Sequence, residues 1–206
     1  MLNLDPSREL LGFLVRHGEL TIGAQRWDGW GSFELSEEGR QSAEKAAQWL
    51  SFNQIGRVIS SDLPRTIETA QCIMDCCDVS CPFMMTDPNL RPRMVASFTG
   101  QEKTPERLAE FQKYIDNPDL VIPGGESGTQ LNQRIQVIPQ YLASPYNARP
   151  TVLVMHNSVI KSLLGIDSVK HAVAPGGIIA VYLTAAGEFE FEVVLGAVEA
   201  ETGVSG

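Results

Sequence analysis

Three short stretches that read as strands in this chain each end in residues that can hold or attack an anion. Leu10–Val15 (LLGFLV) runs into Arg16-His17-Gly18. Arg57–Ser60 runs into Ser61-Asp62, with Arg65 four residues beyond Ser61. Thr151–Met155 (TVLVM) runs into His156-Asn157. A neutral imidazole is a competent nucleophile toward phosphorus and can split one difficult displacement into two easier ones. A guanidinium is planar, charged at any working pH and shaped to grip a phosphate through two hydrogen bonds. Any one of these residues alone is more often structural or solvated. Their placement at three strand ends is what carries weight, and it points to phosphoryl chemistry at His17.

The elements that must position them follow from periodicity. Short, continuous apolar runs read as buried strands. Ser36–Leu50 reads as a helix, with Ala43, Ala46, Ala47 and Leu50 on one face and Ser36 as its N-cap. Pro64 starts a second helix, whose inner face carries Leu63, Ile67, Ala70 and Met74. Cys81–Thr86 reads as another short strand, Glu126–Leu142 as a helix, and Ser158–Leu164 as the helix after the third run. Ile178–Leu183 and Phe189–Val194 read as a final strand pair joined at Ala186-Gly187. Alternating strands and helices imply a mostly parallel sheet between helical layers, with ligands beyond the carboxyl ends of the strands. On this reading Arg16, His17, Arg65 and His156 converge at one edge.

Each residue then has an expected task. His17 attacks phosphorus, with its other ring nitrogen held by a backbone carbonyl. Gly18 admits a close approach of backbone to the ring or the phosphate. Arg16 and Arg65 hold the phosphate, Arg65 from the first turn of its helix, where backbone N–H groups favour anions. His156 donates to a phosphate oxygen and is expected to become a cation beside the dianion.

Bulk properties narrow the field. The chain has 206 residues, a formal net charge of -9 and 43% hydrophobic residues. That size suits a single domain, 1–206, since domains typically run to roughly 100–200 residues. The acidic balance disfavours nucleic acid as a partner. There is no apolar run long enough for a membrane span and no signal-like start, so the expectation is a soluble, cytoplasmic protein. Residues 87–125 hold Pro88, Pro92, Pro105, Pro118 and Pro123, with a helix expected near Pro105–Ile115. They read as a lid-like insertion that would set substrate choice through Arg91, Arg93, Lys103 or the aromatic Trp27, Trp30 and Phe98. Cys72, Cys76, Cys77 and Cys81 lack the usual metal-ligand spacing and read as ordinary small core residues rather than a metal or redox site.

The pattern resembles the histidine phosphatase superfamily, the phosphoglycerate mutase-like group. Leu14-Val15-Arg16-His17-Gly18-Glu19 is similar to its signature, and Arg26 with Gly29 to its R-x-x-G. Leu35-Ser36-Glu37-Glu38-Gly39-Arg40 is similar to its L-T-x-x-G-R, and Ser60-Ser61-Asp62-Leu63 with Arg65 and Thr69-Ala70 to its S-S-D-L-x-R-x-x-x-T-A. Pro123-Gly124-Gly125-Glu126-Ser127 and Val154-Met155-His156 complete the match. The resemblance implies a three-layer α/β/α sandwich, a phosphohistidine at His17 and no cofactor or metal. It implies a substrate pocket drawn from Arg16, Gly18, Arg26, Arg65, His156 and Asn157. The substrate would be a small phosphorylated molecule or a phosphoprotein.

Two departures from that family stand out. Where its phosphatases carry a proton-donating Glu, this chain has Pro92, in Leu90-Arg91-Pro92. Where they often carry an Asn, it has Gly23. Asn157 also excludes the family's His-Asp arrangement, in which Asp is the acid. Glu19, Glu102 and Glu126 are the candidate replacements for the acid; the other outcomes are a substrate with a good leaving group, or binding without turnover. The functions in competition are a phosphomonoester or phosphoprotein phosphatase, a weak or inactive phosphoester-binding module and, third, a phosphoglycerate mutase.

Overall fold

A computed structural model describes residues 7–77, 83–143, 149–165, 171–196 and 198–200. In chain order the elements are β1 (Arg8–Arg16), α1 (Glu37–Leu50), β2 (Arg57–Ser60), α2 (Pro64–Cys76), β3 (Phe83–Thr86), α3 (Pro105–Asp116), α4 (Gly128–Arg134) and α5 (Val137–Leu142). Then come β4 (Thr151–Met155), α6 (Asn157–Leu164), β5 (His171–Val173), β6 (Ile178–Thr184), β7 (Phe189–Leu195) and β8 (Val198–Ala200).

β1 and β4 are apolar on both faces because both are covered. Phe13 and Val15 point to one side with Val58, Val152 and Val154, where Ala46, Ala47 and Leu50 of α1 and Ala70 and Ile73 of α2 close over them. Leu14 points the other way with Ile59, Leu153 and Met155, against Leu131, Ile138, Val159 and Ile160 of α4, α5 and α6. The period-2 alternation of the strands thus generates a three-layer sandwich.

The central sheet has six strands in the order β3-β2-β4-β1-β6-β7. β3, β2, β4 and β1 are parallel neighbours. β6 and β7 add to β1 in antiparallel fashion, so the sheet is mixed, parallel at the end that matters for the site. Arg16 pairs with Met155, and Ser60 with Val154. His17 and His156 are therefore the next residues of two adjacent strands, and Ser61 leaves the sheet beside them.

The expected helix over Glu126–Leu142 is two helices. Pro139 cannot donate a backbone hydrogen bond, and its ring would collide with the carbonyl four residues back, that of Ile135. The break falls there: α4 ends at Arg134, capped by Ile135, and α5 restarts with Pro139 in its first turn. The strand expected at Cys81–Thr86 is described from Phe83 onward; Cys81 lies outside the described residues. Cys72 and Cys77 are partly buried against the core, and Cys76 is exposed. No described helix is long and apolar enough to cross a membrane.

Residues 87–125 carry short helical turns and α3, packed as a small second core of Trp27, Val95, Phe98 and Ile122 with Phe111 and Tyr114. Arg93 is buried and fastens it, donating to the carbonyls of Glu126 (3.2 Å) and Tyr114 (3.1 Å).

α1 touches the first strand end directly. A Cβ at Gly18 would sit 2.1 Å from the carbonyl oxygen of Gly39, and one at Gly39 would sit 2.0 Å from that of Glu19. Ser36 caps α1 by accepting from Gly39 N–H, while its own N–H donates to Glu19. Replacing Gly39 with Ala should force backbone apart and cost about 1–3 kcal/mol, in the range of other overpacking substitutions. Urea unfolding measures this; an unchanged midpoint would show that the contact yields freely.

Candidate active site

His17 follows β1 and donates its backbone N–H to Met155 of β4 (3.1 Å). Its Nδ1 lies 2.7 Å from the carbonyl oxygen of Gly18. A carbonyl only accepts, so Nδ1 carries the proton and Nε2 is left with its lone pair. Gly18 gives its own N–H to Thr69 Oγ1 (3.3 Å). Gly18 therefore orients the imidazole and packs on Gly39.

The His156 ring lies 5.0 Å from that of His17, centroid to centroid. Its Nε2 is 3.0 Å from Ser61 Oγ. That hydroxyl accepts from Leu63 N–H; with its hydrogen turned to Nε2, the ring proton sits on Nδ1. Nδ1 is buried without a protein partner. In that tautomer it is a buried donor.

Arg65 is completely buried. It stands in the first turn of α2, whose start is set by Pro64 and by Thr66 Oγ1 donating to Ser61 O. Its guanidinium donates to Gly31 O (2.8 Å) and Gly29 O (2.6 Å), and its Nε is buried without a partner. Arg16 donates to Val173 O, and Val173 N–H donates to Asn157 Oδ1. Asn157, expected on the substrate, spends that oxygen on holding Val173, which in turn holds Arg16.

A residue outside the strand-end pattern completes the group. Asp28 lies on the loop between β1 and α1. Its Oδ1 accepts from Gly29 N–H (3.0 Å), which turns Oδ2 inward, 3.7 Å from His17 Nε2 and 3.2 Å from Arg65. Its side chain is 34% exposed, against 5% for that of His17. The only cue in the sequence was Asp-Gly, which reads as a turn.

The other expected residues sit differently. Arg26 is exposed and donates to Gly100 O (3.0 Å). Glu126 is taken up structurally: its carboxylate pairs with Arg134 (2.6 Å) and accepts from Met94 N–H (2.8 Å). Glu19 and Glu102 are exposed. Pro92 is buried, and its carbonyl accepts from Trp30 Nε1 (2.8 Å) and Arg134 (2.7 Å). Gly23 has φ +78 in a turn closed on Leu20 O, a conformation in which a side chain would be strained. Arg91 is clamped on Asp62 through two 2.6 Å bonds and stacks on Trp30. Lys103 donates to Ala24 O, while Trp27 and Phe98 belong to the small second core.

His17, Asp28 and His156 each offer a ligand atom within 4.8 Å of the others. Two imidazoles and a carboxylate suit a transition metal. Arg65, 3.2 Å from the same carboxylate, places a fixed cation at that point, so the cluster is better matched to an anion.

Burial decides the charge of both rings. It pushes His17 down to about 3, with Arg65 and Arg16 adding to the effect and Asp28 opposing it. Burial, then Arg65, also holds His156 well below the usual histidine range, so without a ligand it is neutral rather than cationic. An unfolded histidine binds its proton near 6.5. As pH falls below that value the unfolded chain takes up protons that the folded chain refuses. Stability should then fall by about 1.4 kcal/mol per pH unit for each ring. Both rings should keep constant NMR shifts from pH 7.5 to 5 while urea resistance declines; a ring titrating near 6.5 would contradict this.

The chain has relatives among known proteins. Residues 13–167 match the Histidine phosphatase superfamily (branch 1). The chain is 37% identical over 157 residues to Phosphoglycerate mutase-like protein 4 of Arabidopsis thaliana, covering 73% of this chain and 67% of that one. It is 34% identical over 158 residues to the Yersinia pestis protein named "Probable phosphoglycerate mutase GpmB", covering 74% and 72%. The solved structure of a mycobacterial glucosyl-3-phosphoglycerate phosphatase superposes with a TM-score of 0.72 at 20% identity, over 93% of this chain and 99% of that one. This chain belongs to branch 1 of the histidine phosphatase superfamily.

Proposed function

We propose that the chain is a phosphatase that hydrolyses a small phosphomonoester, or a phosphorylated protein, through a phosphohistidine at His17. The observation that carries this reading is the state of the imidazole. It is neutral, its Nδ1 proton is engaged by Gly18, and its Nε2 lone pair faces a cluster with a buried guanidinium and a second imidazole.

Attack by Nε2 on phosphorus would put charge on the equatorial oxygens. Preorganised donors in a water-poor site stabilise such charge far better than solvent does. Arg65 Nε and His156 Nδ1, both buried without protein partners, are suited to that task. Arg16, beside His17, would complete the clasp. Water would then hydrolyse the phosphohistidine. In this scheme Pro92 stands where related phosphatases carry a donor carboxyl, so the leaving group must be protonated from elsewhere or need no proton.

Glucosyl-3-phosphoglycerate phosphatase is the activity of a structural neighbour, and mutase is in the names of the sequence relatives. The mutase alternative would require the phosphoryl group to return to a phosphoglycerate rather than pass to water. A binding module without turnover would bind phosphate and never label His17.

Incubation with an activated aryl phosphate should release phosphate, and His17→Ala should lower the rate by at least about 10³-fold, as loss of a nucleophile does. Mass spectrometry after rapid quenching should find phosphate on His17. Equal rates for the two proteins would remove the reading. Transfer to phosphoglycerate in place of release to water would favour the mutase.

A further inference from the structure

From the position of Asp28 we infer that it is the general acid of this site, donating a proton to the leaving oxygen and then taking one from water. This rests on the phosphohistidine reading above.

Asp28 is held rather than loose. Gly29 N–H fixes Oδ1, and Oδ2 faces His17 Nε2 at 3.7 Å and Arg65 at 3.2 Å. That places Oδ2 on the side of the ring from which phosphorus must be attacked. A general acid has to stand within hydrogen-bond reach of the bond that breaks, and small rotations on substrate binding suffice to tune such a contact. Asp28 is also partly exposed, so it can exchange its proton with solvent while the two rings stay buried.

Charge balance supplies the proton. Arg16 and Arg65 provide two positive charges and both imidazoles are neutral. A phosphate dianion matches those two guanidiniums. A third negative group in the same space would repel it, as two carboxylates sharing one site repel each other. The dianion is therefore best accommodated with a proton held between it and Asp28 Oδ2. The titratable and charged groups that face the Asp28 carboxylate are Arg65, His17 and His156, the last with a ring nitrogen within 4.8 Å.

Glu19 and Glu102, the other carboxylates expected here, are exposed. Glu126 is held by Arg134 and Met94, and the backbone at Pro92 is sealed by Trp30 and Arg134.

In the first half-reaction the bond from Nε2 to phosphorus forms and the bond from phosphorus to the leaving oxygen breaks. The Asp28 proton ends on that oxygen. In the second, a water oxygen bonds to phosphorus, the bond to Nε2 breaks, and the proton released by water returns to Asp28. The acid is restored, and the products are an alcohol and inorganic phosphate.

The test uses wild type, Asp28→Asn and His17→Ala with phosphate esters graded from dinitrophenyl to simple alkyl, together with orthophosphate titration. Asn preserves the size of the side chain and the acceptor for Gly29. For Asp28→Asn the loss in kcat/KM should grow with leaving-group pKa, from less than about tenfold to about 10²–10⁴-fold for alkyl esters, the range of general acid catalysis. Orthophosphate should bind more tightly, because a negative charge has been removed. A uniform loss across the series, or weaker orthophosphate binding, would overturn the proposal and reduce Asp28 to a support for Arg65. If His17→Ala equals wild type on the dinitrophenyl ester, the phosphohistidine reading itself fails, whatever Asp28 does.

Discussion

The register of β1 against β4 is the constraint on which the site depends. Because Arg16 pairs with Met155 in a parallel ladder, the two residues that follow, His17 and His156, leave the sheet side by side. No loop has to be shaped to bring them together. The site inherits its precision from backbone hydrogen bonds deep in the core, which are the least mobile part of such a fold. Slippage of one residue would also turn the apolar faces of both strands the wrong way.

That arrangement has an electrostatic cost. Two imidazoles and a guanidinium are nearly or fully buried at one point. The rings meet the cost by remaining neutral, which also leaves His17 its lone pair. Arg65 cannot shed its charge, so the fold turns the Gly29 and Gly31 carbonyls and the Asp28 carboxylate toward it. The loop between β1 and α1 is thus an electrostatic partner of α2. Glycine at 18 and 39 lets α1 press on the backbone at the start of that loop. Chemistry and packing share the same few residues, which is why the signature motifs are contiguous in space although scattered in sequence.

Much of this was legible from the chain alone. Short apolar runs followed by reactive residues mark strand ends in a parallel sheet, so Arg16, His17, Arg65 and His156 could be placed without coordinates. The helix capped by Ser36 and the start at Pro64 rest on local rules that tertiary contacts did not override. What escaped was set by long-range folding. Asp28 reaches the site because its loop folds back, pinned by Trp27 to Thr99 and Arg26 to Glu102. Nothing at the level of periodicity reports such a return. Glu126 looked available because its partner, Arg134, lies two turns along a helix whose break at Ile135 was also missed. Asn157 looked like a ligand because it adjoins His156, yet its partner is a strand residue, Val173, distant in sequence.

A crystal structure with orthovanadate tests the central claim most directly. Vanadium should be bonded to His17 Nε2, with Arg16, Arg65 and His156 Nδ1 at hydrogen-bond distance from its equatorial oxygens, about 2.7–3.2 Å. The same ion bound elsewhere, or bound in the cluster with the His17 ring turned away from it, would contradict the account.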